Sequence, residues 1–316
     1  MKTKFLLPII TLGLFAACGD DSNSTGPNTD PTTESSASVK PESAANTEPT
    51  SSTTEQTISS SSIASDAKVT YKYYGAELSG KEKFKYGRFE ARMKMVSFPG
   101  TVSSMFLYYN ESYVLKEEPW NEIDIEVLGT NKTKWQSNII TREGDPSIGS
   151  RTTTTEKVHD FNFDATEDFH LYGIVWTPEY VAWEIDSVEV RRVELGVING
   201  EHADKDQVAF LTEEQTLRFN LWASKTPSWT GKFTGEELAD GPAEQVIDYV
   251  RVYSYDESAK TFTLNWQDDF ESSVPSGAHW KTGNWDMEKV RLAPENVVVE
   301  NGYCKLLMTR EAVSAN

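Results

Sequence analysis

The chain has 316 residues, a formal net charge of −19 and 11% aromatic residues. This negative charge argues against nucleic acid and anionic membrane surfaces as binding partners, because both would repel the protein at long range. The length is enough for one all-β domain of about 200–250 residues with further segments beside it.

The first 18 residues have the features of an export signal. Lys2 and Lys4 precede an apolar run that is too short to span a bilayer, and small residues lead to Cys18. The run LFAAC at 14–18 resembles a bacterial lipobox, whose cysteine becomes the lipidated first residue of the mature protein. We therefore expect an exported bacterial lipoprotein of the cell envelope or cell surface, attached to the membrane through a lipid anchor only. The alternative is an ordinary signal peptide that contains a cysteine.

Residues 19–67 are rich in Ser, Thr, Pro, Asn and Glu and contain no aromatic residue. Such a composition buries too little apolar surface to offset the entropy of ordering, so it predicts a disordered linker. The remaining residues, 68–316, form the predicted domain.

Short alternating or apolar runs, separated by turn residues, fill the chain from Tyr71 to Arg310. This pattern predicts an all-β domain, and the spacing suits a β-sandwich of two sheets. Asn301-Gly302 predicts a tight hairpin turn, and Pro178 marks a second turn. The polar segment 145–168 predicts a long loop. The predicted strands include residues 87–96, 101–109, 122–128, 135–141, 170–177, 180–185, 217–223, 245–255 and 297–308.

Three carboxylates alternate with apolar side chains in the run at 120–129. Successive side chains of a strand point to opposite faces, so Glu122, Asp124 and Glu126 share one face. An amphipathic strand with its polar face in water would show the same alternation. The Cα atoms of Glu122 and Glu126 would lie about 13 Å apart, and their side chains could lean to the roughly 5–5.5 Å carboxyl separation of a retaining glycosidase. Asp124 could then hydrogen-bond one glutamate and raise the pKa of the other, but this geometry leaves the two roles open.

With Trp120 before it and Gly129 after it, the run EIDIE at 122–126 resembles the active-site motif of family 16 glycoside hydrolases. This resemblance implies a jelly-roll, concanavalin A-like sandwich in which Glu122 is the nucleophile, Glu126 the acid/base and Asp124 a helper. The run lacks the residue that laminarinases of the family insert before the last glutamate. It therefore resembles the branch of lichenases and xyloglucan-active enzymes.

The resemblance covers residues 71–310 in an altered order along the chain. Segment 266–310 resembles one that precedes the catalytic strand in ordinary members of the family. We therefore expect a circularly permuted domain, joined at about 252–262, with new termini near Tyr71 and Arg310. The alternative is a separate module at 262–316, which would have little core of its own.

Aromatic, amide and guanidinium side chains elsewhere match cleft positions of permuted family members. Aromatic rings can stack on the apolar faces of pyranose rings, while polar groups bind the hydroxyls. Taken singly, each residue is better explained as core or surface, but together they predict a substrate cleft. We assign Trp176 and Trp183 to the core, whereas Trp120 could lie just behind the site. The predicted substrate-binding residues are Phe106, Tyr108, Asn110, Gln136, Asn138, Arg218, Asn220, Trp222, Trp229 and Trp285.

No cofactor is required by this pattern. The four histidines show no paired ligand spacing, and the two cysteines do not form a zinc pair. Family members often bind a structural calcium ion away from the cleft, so calcium stays open although no contiguous calcium loop is visible. Cys304 lies in an apolar run and is predicted to be a small buried side chain.

The resemblance implies a retaining endo-β-glucanase that hydrolyses mixed-linkage 1,3-1,4-β-D-glucan as a monomer. An enzyme of the same fold that acts on xyloglucan or 1,3-β-glucan is the first alternative. The second is a surface glycan-binding lipoprotein without activity. Such proteins tend to lose a catalytic acid, and none is missing here.

Overall fold

Extended segments dominate the structure because β-branched and aromatic residues alternate with polar ones over most of the domain. The computed structural model describes residues 69–114, 118–143, 152–198, 205–272 and 274–313. The predicted export signal with Cys18 and the predicted linker at 19–67 lie outside the described residues. No helix among the described residues is long and apolar enough to cross a bilayer.

Eighteen strands and three short helical segments are described. The strands are β1 (Thr70–Gly80), β2 (Gly87–Lys94), β3 (Thr101–Tyr108), β4 (Trp120–Leu128), β5 (Lys134–Arg142), β6 (Thr153–Thr154), β7 (Lys157–Asp160), β8 (His170–Trp176), β9 (Tyr180–Ile185), β10 (Val188–Glu194), β11 (Thr216–Ala223), β12 (Ala243–Asp256), β13 (Thr261–Asp268), β14 (Trp280–Thr282), β15 (Trp285–Met287), β16 (Val290–Leu292), β17 (Val297–Glu300) and β18 (Tyr303–Val313). The helix α1 spans Pro227–Thr230, and 3-10 helices span Glu236–Leu238 and Pro294–Asn296.

Two largely antiparallel sheets face each other and form a jelly-roll sandwich. Strand β16 pairs parallel with β1 and antiparallel with β15. The front sheet has the order β14-β1-β11-β3-β4-β5, with β6 and β7 beside β5. The back sheet has the order β10-β9-β8-β2-β12, and β12 pairs further with β18 along its first half and with β13 along its second. Strand β17 extends the back sheet beside β18. The first half of β1 pairs with the end of β18 and so joins the two sheets.

The core lies between the front and back sheets. Ile123 and Ile125 of β4 are fully buried there, as the alternation in the sequence predicts. The assignment of Trp176 and Trp183 to the core is confirmed, because they are 1% and 0% exposed. Cys304 is a free, buried cysteine, also as predicted, and burial raises the pKa of its thiol.

Both turns that the sequence predicts are confirmed. Asn301 and Gly302 join β17 to β18 with φ angles of 54° and 76°. Two consecutive residues with positive φ are characteristic of a type I′ turn, which asparagine and glycine tolerate best. Pro178 lies in the connection between β8 and β9, which pair as a hairpin.

The prediction of a loop throughout 145–168 is wrong, because β6 and β7 both pair with β5. Residues 145–151 of that segment lie outside the described residues. The alternation in β7 is inverted, since the polar His159 is buried and stacks on Trp135 at 4.5 Å between ring centroids. Val158, the apolar residue of β7, is 56% exposed. A search for inward-facing apolar residues therefore misses this strand.

The two ends of the described domain lie side by side. Thr70–Tyr74 of β1 pairs antiparallel with Thr309–Val313 of β18. A short connection joins β12 to β13, with Asp256 opposite Thr261. Residues 261–313 therefore contribute strands to the same sandwich as residues 70–256.

Candidate active site

Strand β4 places the three acids on the outer face of the front sheet. It pairs with β3 and with β5, and neither register contains a shift. Glu122 lies opposite Tyr108, and Asp124 lies opposite Phe106. The apolar residues that alternate with the acids point into the core. Because the strand is regular, Glu122, Asp124 and Glu126 all lie on its outer face.

Glu122 is surrounded by groups that favour its ionised form. The indole nitrogen of Trp120 donates a hydrogen bond of 2.6 Å to Oε2 of Glu122. Burial raises the pKa of Glu122, and the charge of Glu77 adds to this effect. The Trp120 hydrogen bond, the charge of Arg218 and a hydrogen bond with Asp124 lower the pKa, and the net result is about 7. Hydrogen bonds and cations stabilise a carboxylate, so Glu122 ionises more readily than its burial alone would allow.

Glu126 has fewer stabilising partners. Its Oε2 accepts a hydrogen bond of 2.9 Å from Nε2 of Gln136. Burial, together with the charges of Glu122 and Glu156 and against the effect of the Gln136 hydrogen bond, raises the pKa of Glu126 to about 8. The ionised form of Glu126 is therefore stabilised by fewer groups than that of Glu122.

Asp124 lies between the two glutamates and is 4% exposed. Burial raises its pKa well above the ordinary value, and the charges of Glu122 and Glu126 and a hydrogen bond to Glu122 add to this effect. A protonated Asp124 can donate to Glu122. From the back sheet, the indole nitrogen of Trp183 donates to the backbone carbonyl of Asp124 at 2.9 Å, which fixes β4 from below.

Arg218 of β11 organises one end of the cleft. Its Nη1 lies 3.0 Å from Oε1 of Glu77, and this pair is buried, with side-chain exposures of 10% and 3%. Its Nη2 donates to Oδ1 of Asn110 at 2.6 Å. The guanidinium carbon lies 4.6 Å from the ring centroid of Tyr108. The charge of Arg218 is thereby held near Glu122 in a fixed position.

Asn220, the next residue of β11 on the same face, continues this network. Its Oδ1 accepts a 2.6 Å hydrogen bond from the hydroxyl of Ser104, and its amide nitrogen lies 3.5 Å from Oε2 of Glu77. The hydroxyl of Ser79 donates to the other oxygen of Glu77 at 2.6 Å. Strands β1, β3 and β11 of the front sheet thus share one polar network.

Aromatic rings border both ends of the acid triplet. Phe106 and Tyr108 lie 6.3 Å apart, and Tyr108 meets the Trp120 ring edge-on at 6.0 Å. At the other end, Trp222 and Trp229 lie 6.0 Å apart. The cleft therefore offers ring surface on both sides of the carboxyl groups.

The remaining predicted cleft residues adjoin this face. Asn138 lies opposite Asp124 and is 5% exposed, and its Oδ1 accepts a 3.0 Å hydrogen bond from the backbone of Thr155. Gly283 lies so close to Trp285 and Glu77 that an added Cβ would come within 3.2 Å of both side chains. The indole nitrogen of Trp229 donates to Oε1 of Gln136 at 3.4 Å, so the aromatic and polar sets are connected.

The structure brings the acid triplet and the predicted cleft residues together around one face of the front sheet. Sequence reasoning missed Glu77, Ser104 and Glu156, which contact or influence this site. Glu77 had a readable signal, since it alternates with Ala76 and Leu78 in β1 as the acids do in β4. Ser104 lies in the largely apolar strand β3 and Glu156 in a polar segment, and no motif singles out either residue.

No group of three or more His, Cys, Asp or Glu side chains in the described ranges is arranged to hold a metal ion. The structural calcium ion stays a prediction, and no step of the chemistry below depends on it.

Known proteins include relatives with a similar sequence. The chain is 42% identical over 245 residues to a Beta-glucanase of Fibrobacter succinogenes, with 76% of this chain and 64% of the relative covered. It is 34% identical over 185 residues to a Beta-glucanase of Acetivibrio thermocellus, with 58% of this chain and 47% of the relative covered. The chain thus spans less than two thirds of the length of either relative.

Among solved structures, the Bacillus licheniformis beta-glucanase aligns with a TM-score of 0.39 and 26% identity, over 49% of this chain and 62% of that chain. Residues 43–251, more than half of the chain, match the family described as Glycosyl hydrolases family 16. The chain therefore belongs to glycosyl hydrolase family 16.

Proposed function

We propose that the protein is a retaining endo-β-glucanase that hydrolyses mixed-linkage 1,3-1,4-β-D-glucan. The observation that carries this proposal is the unequal surroundings of Glu122 and Glu126 on one face of β4. A retaining glycosidase needs one ionised and one protonated carboxyl group beside the scissile bond. The N–H of Trp120 and the charge of Arg218 support Glu122 as the ionised group, whereas Glu126 lies near the charges of Glu122 and Glu156, which supports it as the protonated one.

In the first step, the carboxylate of Glu122 attacks the anomeric carbon while Glu126 gives its proton to the departing glycosidic oxygen. The glycosidic bond breaks, and a covalent bond joins the sugar to Glu122. Glu126, now ionised, takes a proton from water, whose oxygen attacks the anomeric carbon and releases Glu122. Two inversions restore the β configuration. Asp124 orients Glu122 through their hydrogen bond.

Three observations support a β-glucan substrate. The regular register of β4 has no inserted residue, which is the form that resembles the lichenase and xyloglucan branch rather than laminarinases. Relatives from two bacterial species are named Beta-glucanase. The four rings Phe106, Tyr108, Trp222 and Trp229 suit an extended, unbranched chain of sugars.

A reducing-sugar assay on barley β-glucan, laminarin and xyloglucan tests the proposal. We expect the highest rate on barley β-glucan, and proton NMR of the first product should show the β-anomer. An α-anomer would contradict the retaining mechanism, and a higher rate on laminarin or xyloglucan would contradict the substrate. A protein that binds β-glucan in gel electrophoresis but releases no sugar would instead be the glycan-binding protein.

We also propose that the domain is a circular permutation of the ordinary family order. The pairing of residues 70–74 with 309–313 and the short β12-β13 connection support this, because permutation requires neighbouring ends. A variant with the ordinary order tests it: residues 261–313 are placed before residue 70 through a short linker, and the chain ends at 256. We expect this variant to fold and to hydrolyse the same glucan. An unfolded product would contradict the proposal.

We further propose export and lipid attachment at Cys18, which the LFAAC run supports. Cells that express the chain should incorporate radiolabelled palmitate into it, and Cys18→Ser should abolish the label. Equal labelling of the two proteins would contradict lipidation at this cysteine.

A further inference from the structure

Arg142 is a buried cation beside the start of the catalytic strand. It ends β5 and lies opposite Trp120 in the β4-β5 ladder. It is 4% exposed, and its guanidinium carbon lies 5.3 Å from the centroid of the Trp120 ring. A cation at this distance from an indole face is attracted to it, and more strongly where water is excluded.

The same guanidinium contacts described residues between β3 and β4. Its Nη2 lies 2.9 Å, 3.2 Å and 3.3 Å from the backbone carbonyl oxygens of Ser112, Val114 and Glu118. The hydroxyl of Ser112 in turn accepts a 3.1 Å hydrogen bond from the backbone nitrogen of Asn121, next to Glu122. Arg142 therefore fixes both the loop and the tryptophan that border Glu122.

Trp120 connects Arg142 to the reacting carboxyl group. Arg142 contacts the face of its ring, Tyr108 meets it edge-on, and its N–H donates to Glu122 at 2.6 Å. A cation over the ring draws electron density from the indole and makes its N–H a better donor. A better donor favours the ionised carboxylate.

We propose that Arg142 is a positioning residue that holds and polarises Trp120, so that the indole N–H stabilises the Glu122 carboxylate. The proposal rests on the proposed function only in treating Glu122 as the reacting group. Other titratable or charged groups also act on Glu122 from the strands around it. These groups are Asp124 and Glu126 of β4, Tyr108 of β3, Arg218 of β11 and Glu77 of β1.

The first test compares the dependence of kcat/KM on pH for Arg142→Met and Arg142→Lys, using barley β-glucan. We expect Arg142→Met to move the acid limb upward by about one pH unit, which lowers kcat/KM roughly tenfold below that limb. The alkaline limb and KM should change little. Arg142→Lys keeps the charge but loses the planar fork, so it should shift the limb less.

Arg251→Met is the matched control. The guanidinium carbon of Arg251 lies 4.2 Å from the ring centroid of Tyr249 on the back sheet, far from β4 in the sheet order. We expect its pH profile to match that of the wild type. An unshifted acid limb in folded Arg142→Met, or an equal shift in Arg251→Met, would overturn the proposal.

A second measurement separates an effect through Trp120 from a direct effect of charge. The Trp120→Phe variant keeps an aromatic ring but loses the N–H. Adding Arg142→Lys to this variant should therefore shift the acid limb no further than Trp120→Phe alone does. A further shift equal to that in the wild-type background would overturn the route through Trp120.

Infrared titration of the carboxyl band measures the ionisation of Glu122 without substrate, when the spectrum of Glu122→Gln is subtracted from that of the protein with Glu122. It should show the same upward shift in Arg142→Lys, and no shift would overturn the proposal. A wild-type protein that hydrolyses none of the glucans would contradict the proposed function, while this titration would still decide the role of Arg142.

Discussion

The two ends of the acid triplet differ in what surrounds them, although Glu122 and Glu126 occupy equivalent positions on β4. Glu122 receives an indole N–H, the nearby charge of Arg218 and a hydrogen bond from Asp124. Glu126 receives one amide N–H from Gln136, and two carboxylates act against its ionisation. The comparison shows that equivalent positions on one strand can have different surroundings. Two of the partners of Glu122 come from β4 itself and one from β11, whereas the amide that binds Glu126 comes from β5.

The largest expected effect comes from removing either carboxyl group. Glu122→Gln and Glu126→Gln should each lower kcat on barley β-glucan by about a thousandfold or more, because one variant lacks the nucleophile and the other the proton donor. An aryl β-glucoside oligosaccharide with an acidic phenol sharpens the difference, since its leaving group needs no proton. Glu126→Gln should then form the glycosyl-enzyme with a burst of phenol, and Glu122→Gln should not. A burst from Glu122→Gln would mean that Glu126 is the nucleophile and Glu122 the proton donor.

The next largest effect is expected at the buried Arg218-Glu77 pair. Arg218→Met leaves Glu77 buried without its cation, which should cost about 3–5 kcal/mol of unfolding free energy. It should also raise the pKa of Glu122 and so move the acid limb of kcat/KM upward. Urea unfolding and the pH profile measure the two effects.

Arg88 of the back sheet is the control for Arg218. It pairs with Glu90 and Glu184, but its side chain is 24% exposed. Arg88→Met should therefore lose less unfolding free energy and keep the wild-type pH profile. Loss of activity in Arg88→Met without loss of folding would show that the effect is not specific to the cleft.

A smaller effect should appear on the alkaline side of the pH profile. Activity requires Glu122 ionised and Glu126 protonated, so kcat/KM should rise as pH passes about 7 and fall as it passes about 8. The hydrogen bond from Gln136 lowers the pKa of Glu126, and Gln136→Leu should move the alkaline limb to higher pH. Asn138→Ala, one alternate position away on β5, should leave that limb in place. An alkaline limb that moves down in Gln136→Leu would contradict the assignment.

The smallest effect is expected at Trp229. Its N–H lies 3.4 Å from Oε1 of Gln136, which is long for a hydrogen bond, so Trp229→Phe should lower kcat by about twofold. KM should rise more than kcat falls, because the smaller ring offers less surface to a sugar. Trp266→Phe, which loses a 2.7 Å bond to Glu82 away from β4, should change neither constant. Equal changes in the two variants would mean that Trp229 acts through stability alone.

The sequence alone predicted β4, its two faces, the Asn301-Gly302 turn and the buried tryptophans, because each depends on the alternation or chemistry of adjacent residues. It also placed the cleft residues through resemblance. It did not predict β6 and β7, whose inward-facing residues are largely polar. Pairing between distant strands was equally hidden, so the roles of Glu77 and Arg142 became visible only with the registers of β1 beside β11 and of β4 beside β5.

The central claim is that Glu122 attacks the sugar and Glu126 moves the proton, and azide rescue tests it most directly. With an aryl β-glucoside oligosaccharide, azide should replace the missing nucleophile in Glu122→Ala and displace the phenol from the opposite face, giving the α-glycosyl azide. In Glu126→Ala, azide should attack the glycosyl-enzyme on Glu122 and give the β-glycosyl azide. Proton NMR distinguishes the two products, and a β-azide from Glu122→Ala with an α-azide from Glu126→Ala would contradict the account.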